Sequence, residues 1–250
     1  MYTERAVSVF DRDDFNATLF YPRADTTPPP PGARDLFVDV GEAHIHVRRH
    51  AGTGAPTLLL FHGNGEVVAD YDAAAARFAR AGVALAVADY RGYGASEGEP
   101  TLRAVIADAR PIAEAVADGP LFVMGRSLGG AAAHELYARP VAGTLGVILE
   151  SAFFDLRGLV RRRGIAPPAA FTAGELALYD PAPKLAAGRL PLLVLHGEAD
   201  TLIAVDEARA AFAAAGTPDK QLVTIPGHGH NDVSAAPAYW DALAAFVARL

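Results

Sequence analysis

Two kinds of hydrophobic pattern divide the chain. Near its start, DLFVDV and HIHVRRH, between Asp35 and His50, alternate apolar with polar positions. That is the period of a half-buried strand, and it predicts an antiparallel pair with one face in water. Beyond them the apolar positions run together in TLLLFHG, VALAVADY, LFVMG, LGVILES, LLVLHG and QLVTIPG. Short continuous runs of this sort are strands buried on both faces. The intervening stretches have helical composition over Val68–Ala81, Leu102–Val116, Leu128–Ala138, Asp206–Ala215 and Pro237–Arg249. Apolar strands alternating with helices predict an α/β fold, a mostly parallel sheet covered on both sides.

Each parallel run ends in polar or glycine-rich residues: HGNG, DYRGYG, GRSLGG, ESAF, HGEAD and GHGHND. Open parallel sheets build their sites outside the carboxyl ends of their strands. Gly125-Arg126-Ser127-Leu128-Gly129 matches G-x-S-x-G, in which a serine sits on a sharp strand-to-helix turn and the flanking glycines remove side chains that would clash. A serine hydroxyl needs a base to take its proton. Of the eight histidines, His44, His46 and His50 fall on the early strands, and His134 lies mid-helix. His62 and His196 each precede a glycine at a strand end, where an imidazole ties down a loop. His228 and His230, in GHGHND after the last strand, remain as candidates for the base. Histidines spaced by one residue can also bind metal, but no carboxylates stand at ligand spacing to complete a site, so neither a metal nor another cofactor is expected.

The carboxylate that orients the base is expected to be Asp200 of HGEAD, between serine and histidine in the chain, with Glu150 in reserve one strand earlier. Asp200 could equally cap the turn that follows it. For the oxyanion, the main-chain N–H of Leu128 is one expected donor, and Asn64 of the HGNG loop, or next to it Gly65, is the other.

Composition narrows the function. With 22 basic against 29 acidic residues, a net charge of −7, the chain offers no footprint for nucleic acid. The absence of cysteine removes disulfides, thiolate catalysis and cysteine-ligated metals. MYTERAVSVFDRDDFN lacks the basic start and apolar run of a signal, and no segment approaches the roughly 20 apolar residues of a membrane span, so a cytoplasmic protein is expected. PPPPG at Pro28 to Gly32 sets an N-terminal arm, residues 1–34, apart from a domain expected over 35–250. The alternative of a dinucleotide-dependent oxidoreductase, suggested by GNGEVV after a strand and Asp89 at the end of the next, fails because Val68 stands where the fingerprint needs glycine.

Taken in order, FHGNGE, DYRGYGASEG, GRSLGG, ESAF, HGEAD and GHGHND resemble the motifs of the α/β-hydrolase superfamily, and most of all its BEM46-like branch of serine hydrolases, over roughly Asp35 to Leu250. The resemblance implies Ser127 as nucleophile, Asp200 as acid, His230 as base, because its last motif reads G-x-G-H, and the HGN loop as part of the oxyanion hole. His228 falls on the motif's variable position. The resemblance also implies a lid, for which only about 153–190 is available. Its LVRRRG run is expected to be a solvated basic face, with preference for an anionic substrate as the alternative. Phe153, Phe154, Ile165 and Phe171 suit a modest acyl pocket. The expected activity is therefore that of a carboxylesterase acting on small to medium acyl substrates. Thioester or peptide cleavage on the same scaffold is one alternative, and a ligand sensor without catalysis is another.

Overall fold

The computed structural model describes residues 7–52 and 54–250. Its centre is one eight-stranded sheet built from β1 (Arg34–Asp39), β2 (His44–Arg49), β3 (Thr57–Phe61), β4 (Ala84–Ala88), β5 (Leu121–Arg126), β6 (Thr144–Glu150), β7 (Leu192–Gly197) and β8 (Lys220–Ile225). The spatial order is β1-β2-β4-β3-β5-β6-β7-β8. β2 runs antiparallel to both neighbours, β1 and β4, and all the later pairs are parallel. This is the mostly parallel, doubly covered α/β sheet expected from the hydrophobic pattern.

The continuous apolar runs have a simple cause. Successive strand residues point to opposite faces, so a strand covered on both sides needs no polar alternation. Leu59 and Phe61 of β3, with Val123 of β5 and Val147 of β6, join one core against the helices Leu102–Val116 and Gly130–Ala138. Leu58, Leu60, Phe122, Met124 and Ile148 join the other, under Phe78, Tyr239, Leu243 and Phe246. Helix Leu102–Val116 begins where expected, with the Thr101 side chain accepting from the Ala104 N–H. The helix expected over Val68–Ala81 divides into a 3-10 turn, Val68–Tyr71, and a short helix, Ala75–Arg80. Between them the backbone closes tight i to i+3 turns, Asp72 N–H to Ala69 O and Ala74 N–H to Tyr71 O, while the Asp72 side chain is drawn out to Arg48.

The expected wet face of the early hairpin is not wet on β2. His46 and Arg48 are buried. Arg48 lies under Asp35, Asp72 and the Thr27 carbonyl, 2.6–3.0 Å from its nitrogens, so the polar positions are covered by partners rather than by water. Residues of the N-terminal arm do similar covering: Phe10, Phe15, Leu19 and Phe20 are buried in the first core, and Phe10 meets Tyr179 at 4.4 Å between ring centroids. The segment after β6 forms three short helices, Leu156–Arg162, Ala173–Tyr179 and Pro181–Ala187, the second closed by a Thr172–Glu175 capping box.

His134, on helix Gly130–Ala138, is as buried as the core around it, and neither ring nitrogen has a hydrogen-bond partner. Its neighbour is the edge of Phe153, 5.9 Å between centroids. Burial, aided by the Lys184 charge, pushes its pKa down from 6.5 to about 3. The unfolded chain therefore takes up a proton below pH 6.5 that the native chain refuses until about pH 3. The stability that this residue permits is complete above the upper value and declines as pH falls, by up to about 1.4 kcal/mol per pH unit. Urea titrations of the protein and of His134→Leu between pH 4 and 7 are expected to diverge with that slope, the variant being the less sensitive to acid. Parallel curves would refute a neutral, acid-labile His134.

Candidate active site

At the end of β5 the chain must turn sharply into helix Gly130–Ala138, and the residue at the turn is Ser127, with φ of +51°. A non-glycine residue in this region costs of order 1–3 kcal/mol and persists only where its surroundings impose it. The surroundings here are the two glycines of the motif. A Cβ on Gly125 would lie 2.5 Å from the Gly129 carbonyl oxygen, and one on Gly129 would lie 2.0 Å from that of Phe61. The turn can be this tight only without those side chains, and its tightness lifts the serine out of the strand.

His230 reaches this hydroxyl from the loop after β8. Its Nε2 lies 2.9 Å from Ser127 Oγ, and its Nδ1 lies 2.7 Å from Asp200 Oδ2. Asp200 follows β7 and makes the contacts of both readings considered for it. Oδ1 accepts from the Leu202 and Ile203 N–H groups at 2.9 and 2.8 Å, capping the turn, which leaves Oδ2 aimed at the histidine. His196 also touches Oδ2, at 3.2 Å, and ties the same loop through Ile203 O at 2.8 Å. Burial opposes ionisation of Asp200, but hydrogen bonds from His196, His230 and the Ile203 N–H outweigh it and hold the carboxyl far below the usual carboxylate range. A carboxylate facing Nδ1 favours the tautomer that carries its proton there, the one in which Nε2 can accept from a serine hydroxyl.

The reserve candidates are engaged elsewhere. His228 turns its Nδ1 to Pro226 O, 3.0 Å away. Glu150 is buried with one oxygen on Arg126 Nε at 3.1 Å and the other accepting from Tyr239 Oη at 2.7 Å. Asp89, weighed as a ribose ligand, is a buried junction that meets His46 Nδ1 at 2.9 Å, His62 Nε2 at 3.2 Å and the Val68 N–H at 3.1 Å.

Asn64 stands beside the serine, but its side chain is turned to the N-terminal arm. Its Oδ1 accepts from the Tyr21 N–H at 3.0 Å and from Tyr93 Oη at 2.6 Å, and its Nδ2 donates to Leu19 O. That leaves the Asn64 main-chain N–H, which has no acceptor among the described residues. Leu128 lies in the first turn after Ser127, where N–H groups have no intrahelical acceptor. Ser127, His230, Asn64 and Leu128 all line one cavity of about 290 Å³, with Leu19 and Tyr21 of the arm and Phe153, Leu159, Arg162 and Arg163 of the segment after β6. Of the four apolar residues expected there, only Phe153 contributes. Phe154, Ile165 and Phe171 pack on the core, and Phe171 lies 5.4 Å from Phe10. Two arginines of LVRRRG, expected in solvent, line the cavity too; only Arg161 keeps to the surface, on Asp155.

Two contributors lay beyond sequence reasoning. Arg126, read only as a variable letter of G-x-S-x-G, donates to Glu150, to Glu66 and to Asn231 Oδ1 at 2.9 Å. Its burial in the run LFVMGR, where a lone charge must be paired, was the available signal. The arm's grip on the HGNG loop had no sequence signal, because residues 21 and 64 meet only through the fold.

Over residues 54–181 and 176–233 the chain matches the family described as "Serine aminopeptidase, S33". It is 25% identical over 218 residues to protein bem46 of Schizosaccharomyces pombe, covering 83% of this chain and 72% of that protein. An esterase of Pyrococcus furiosus superposes with a TM-score of 0.74 at 16% identity, over 91% of this chain and 98% of its own. Est1E of Butyrivibrio proteoclasticus, solved with ferulic acid bound, gives 0.70 at 17% identity, over 86% and 98%. With the matched family spanning most of the sheet and the loops that carry Ser127, Asp200 and His230, the chain belongs to the S33 serine aminopeptidase family of α/β-hydrolases, as a BEM46-like member.

Proposed function

We propose that the protein is a serine hydrolase that cleaves small to medium acyl esters through an acyl-enzyme on Ser127. The observation that carries this reading is the single imidazole of His230 spanning Ser127 Oγ and Asp200 Oδ2 at 2.9 and 2.7 Å on the wall of a cavity. Ser127 Oγ attacks the ester carbonyl as its proton passes to His230 Nε2. Asp200 stabilises the imidazolium through Nδ1–H. The N–H groups of Leu128 and Asn64 receive the oxyanion. Collapse expels the alcohol, which takes the proton from Nε2, and water activated by the same histidine then releases the acid and frees the serine. The esterases among the solved relatives support ester over amide cleavage, and the small cavity with Phe153, Leu128 and Leu159 supports a short acyl chain.

Ser127→Ala is expected to lower kcat by about 10⁴-fold or more and to abolish labelling by a fluorophosphonate. His230→Ala should be nearly as inactive, whereas His228→Ala keeps most of its activity; steady-state kinetics on p-nitrophenyl butyrate tell the two apart, and the reverse order would move the base to His228. For the acid, Asp200→Asn should lose about 10³- to 10⁴-fold while its circular dichroism is unchanged, because an amide favours the wrong tautomer. A larger loss in Glu150→Gln would place the acid one strand earlier. Across p-nitrophenyl esters of rising acyl length, kcat/KM should peak at short to medium chains and change gradually, since one methylene is worth only about 1–3 kcal/mol. A maximum at long chains, or better turnover of aminoacyl p-nitroanilides, would replace the esterase reading by a lipase or an aminopeptidase.

A further inference from the structure

The cavity at Ser127 holds three arginines whose charges are not equally matched. Arg126, which lines it, lies between Glu66 and Glu150 and also donates to Asn231. Arg162 is paired with Glu207 at 2.7 Å, although its Nη2 is buried without a partner. Arg163 forms no ion pair with any carboxylate of the described residues. Its Nη1 meets only neutral oxygens, Thr18 O at 3.2 Å and Tyr21 Oη at 3.5 Å, and its Nε is buried with no hydrogen bond. A guanidinium carries five donors in a planar fork that fits a carboxylate, and a half-buried one left without a counter-charge is the place where such a group gains most. A solvated basic face would show the opposite, arginines directed outward like Arg161, which is exposed on Asp155.

We infer that the enzyme takes esters bearing a free carboxylate a few bonds from the scissile carbonyl, and that Arg163 recognises that carboxylate, with Arg162 beside it. The apolar wall of Phe153 and Leu159 accommodates the chain in between. This specificity rests on the serine hydrolase reading of the same cavity, and it leaves the chemistry at Ser127 unchanged.

Two matched pairs of esters, followed in a pH-stat with the full chain, test it. Monoethyl glutarate against ethyl valerate places the carboxylate on the acyl side; 4-(butyryloxy)benzoate against phenyl butyrate places it on the leaving group. In at least one pair kcat/KM should favour the charged member by about tenfold or more, the worth of a charge-assisted hydrogen bond. Arg163→Gln should bring that ratio close to one, Arg163→Lys should keep part of it, and Arg161→Gln, which removes the same charge outside the cavity, should keep all of it. No preference in either pair, or a preference that survives Arg163→Gln, overturns the inference. Fluorophosphonate labelling of each variant reports that its serine is still assembled. Should no ester be cleaved and Ser127 not be labelled, the hydrolase reading fails, and calorimetry of Ser127→Ala with monoethyl glutarate decides the inference alone. Saturable binding that a second change, Arg163→Gln, removes supports it, and absence of binding overturns it.

Discussion

One buried guanidinium holds together the three loops that meet at the serine. Arg126 is the last residue of β5, 9% exposed, and it cannot be left uncompensated there. Its Nη1 binds Glu66, whose other oxygen accepts from the Gly63 N–H at 2.7 Å and so fixes the HGNG loop. Its Nε binds Glu150 at the end of β6. Its Nη2 binds Asn231 and lies 3.5 Å from the carbonyl of His230 itself. Removing one partner of a buried ion pair costs about 3–5 kcal/mol, so each loop is held in the geometry that satisfies the other two. The serine turn, the HGNG loop, the end of β6 and the histidine loop are one electrostatic unit.

The molecule also contains the same chemistry twice, with different outcomes. Asp89 at the end of β4 and Asp200 after β7 are both enclosed carboxylates held by two imidazoles, and in both the hydrogen bonds overcome the burial that would protonate them. Around Asp89 the two histidines, His46 and His62, are themselves buried, His62 completely, and bind β2 to the neighbouring loop. Around Asp200 only His196 is enclosed; His230 borders the cavity and ends on a serine. Access to the cavity and a hydroxyl at the far nitrogen set His230 apart from the enclosed imidazoles, not the carboxylate behind it.

The N-terminal arm stands in the same relation to the site. Tyr21 and Leu19 fasten the Asn64 side chain, Arg23 donates to Gly65 O at 3.0 Å and pairs with Asp70, and the backbone of Arg23 and Asp25 binds Gly94. Loops of glycine and asparagine are conformationally free, and a donor that is to meet a developing charge must be placed beforehand. In the proposed reaction the arm supplies that placement to the Asn64 N–H, and its phenylalanines share the core beneath.

The α/β sheet, its antiparallel start and the turn at Ser127 were legible from local pattern, because continuous apolar strands, helical stretches and G-x-S-x-G each reflect constraints among neighbours in the chain. The strand-end motifs were legible for the same reason, but the residues alone left His228 and His230 both open, and only the resemblance, through G-x-G-H, chose between them. What the sequence could not reveal depended on partners far apart in the chain. Whether His46 and Arg48 faced water turned on Asp35, Asp72 and Asp89. Which phenylalanine would line the cavity turned on Phe10, which draws Phe171 into the core. The charge of LVRRRG was plain from the letters, but only the fold gave Glu207 to Arg162, Asp155 to Arg161 and no carboxylate of the described residues to Arg163. Local sterics and periodicity are written in adjacent residues; burial and the pairing of charges are properties of surfaces that exist only once the chain has closed on itself.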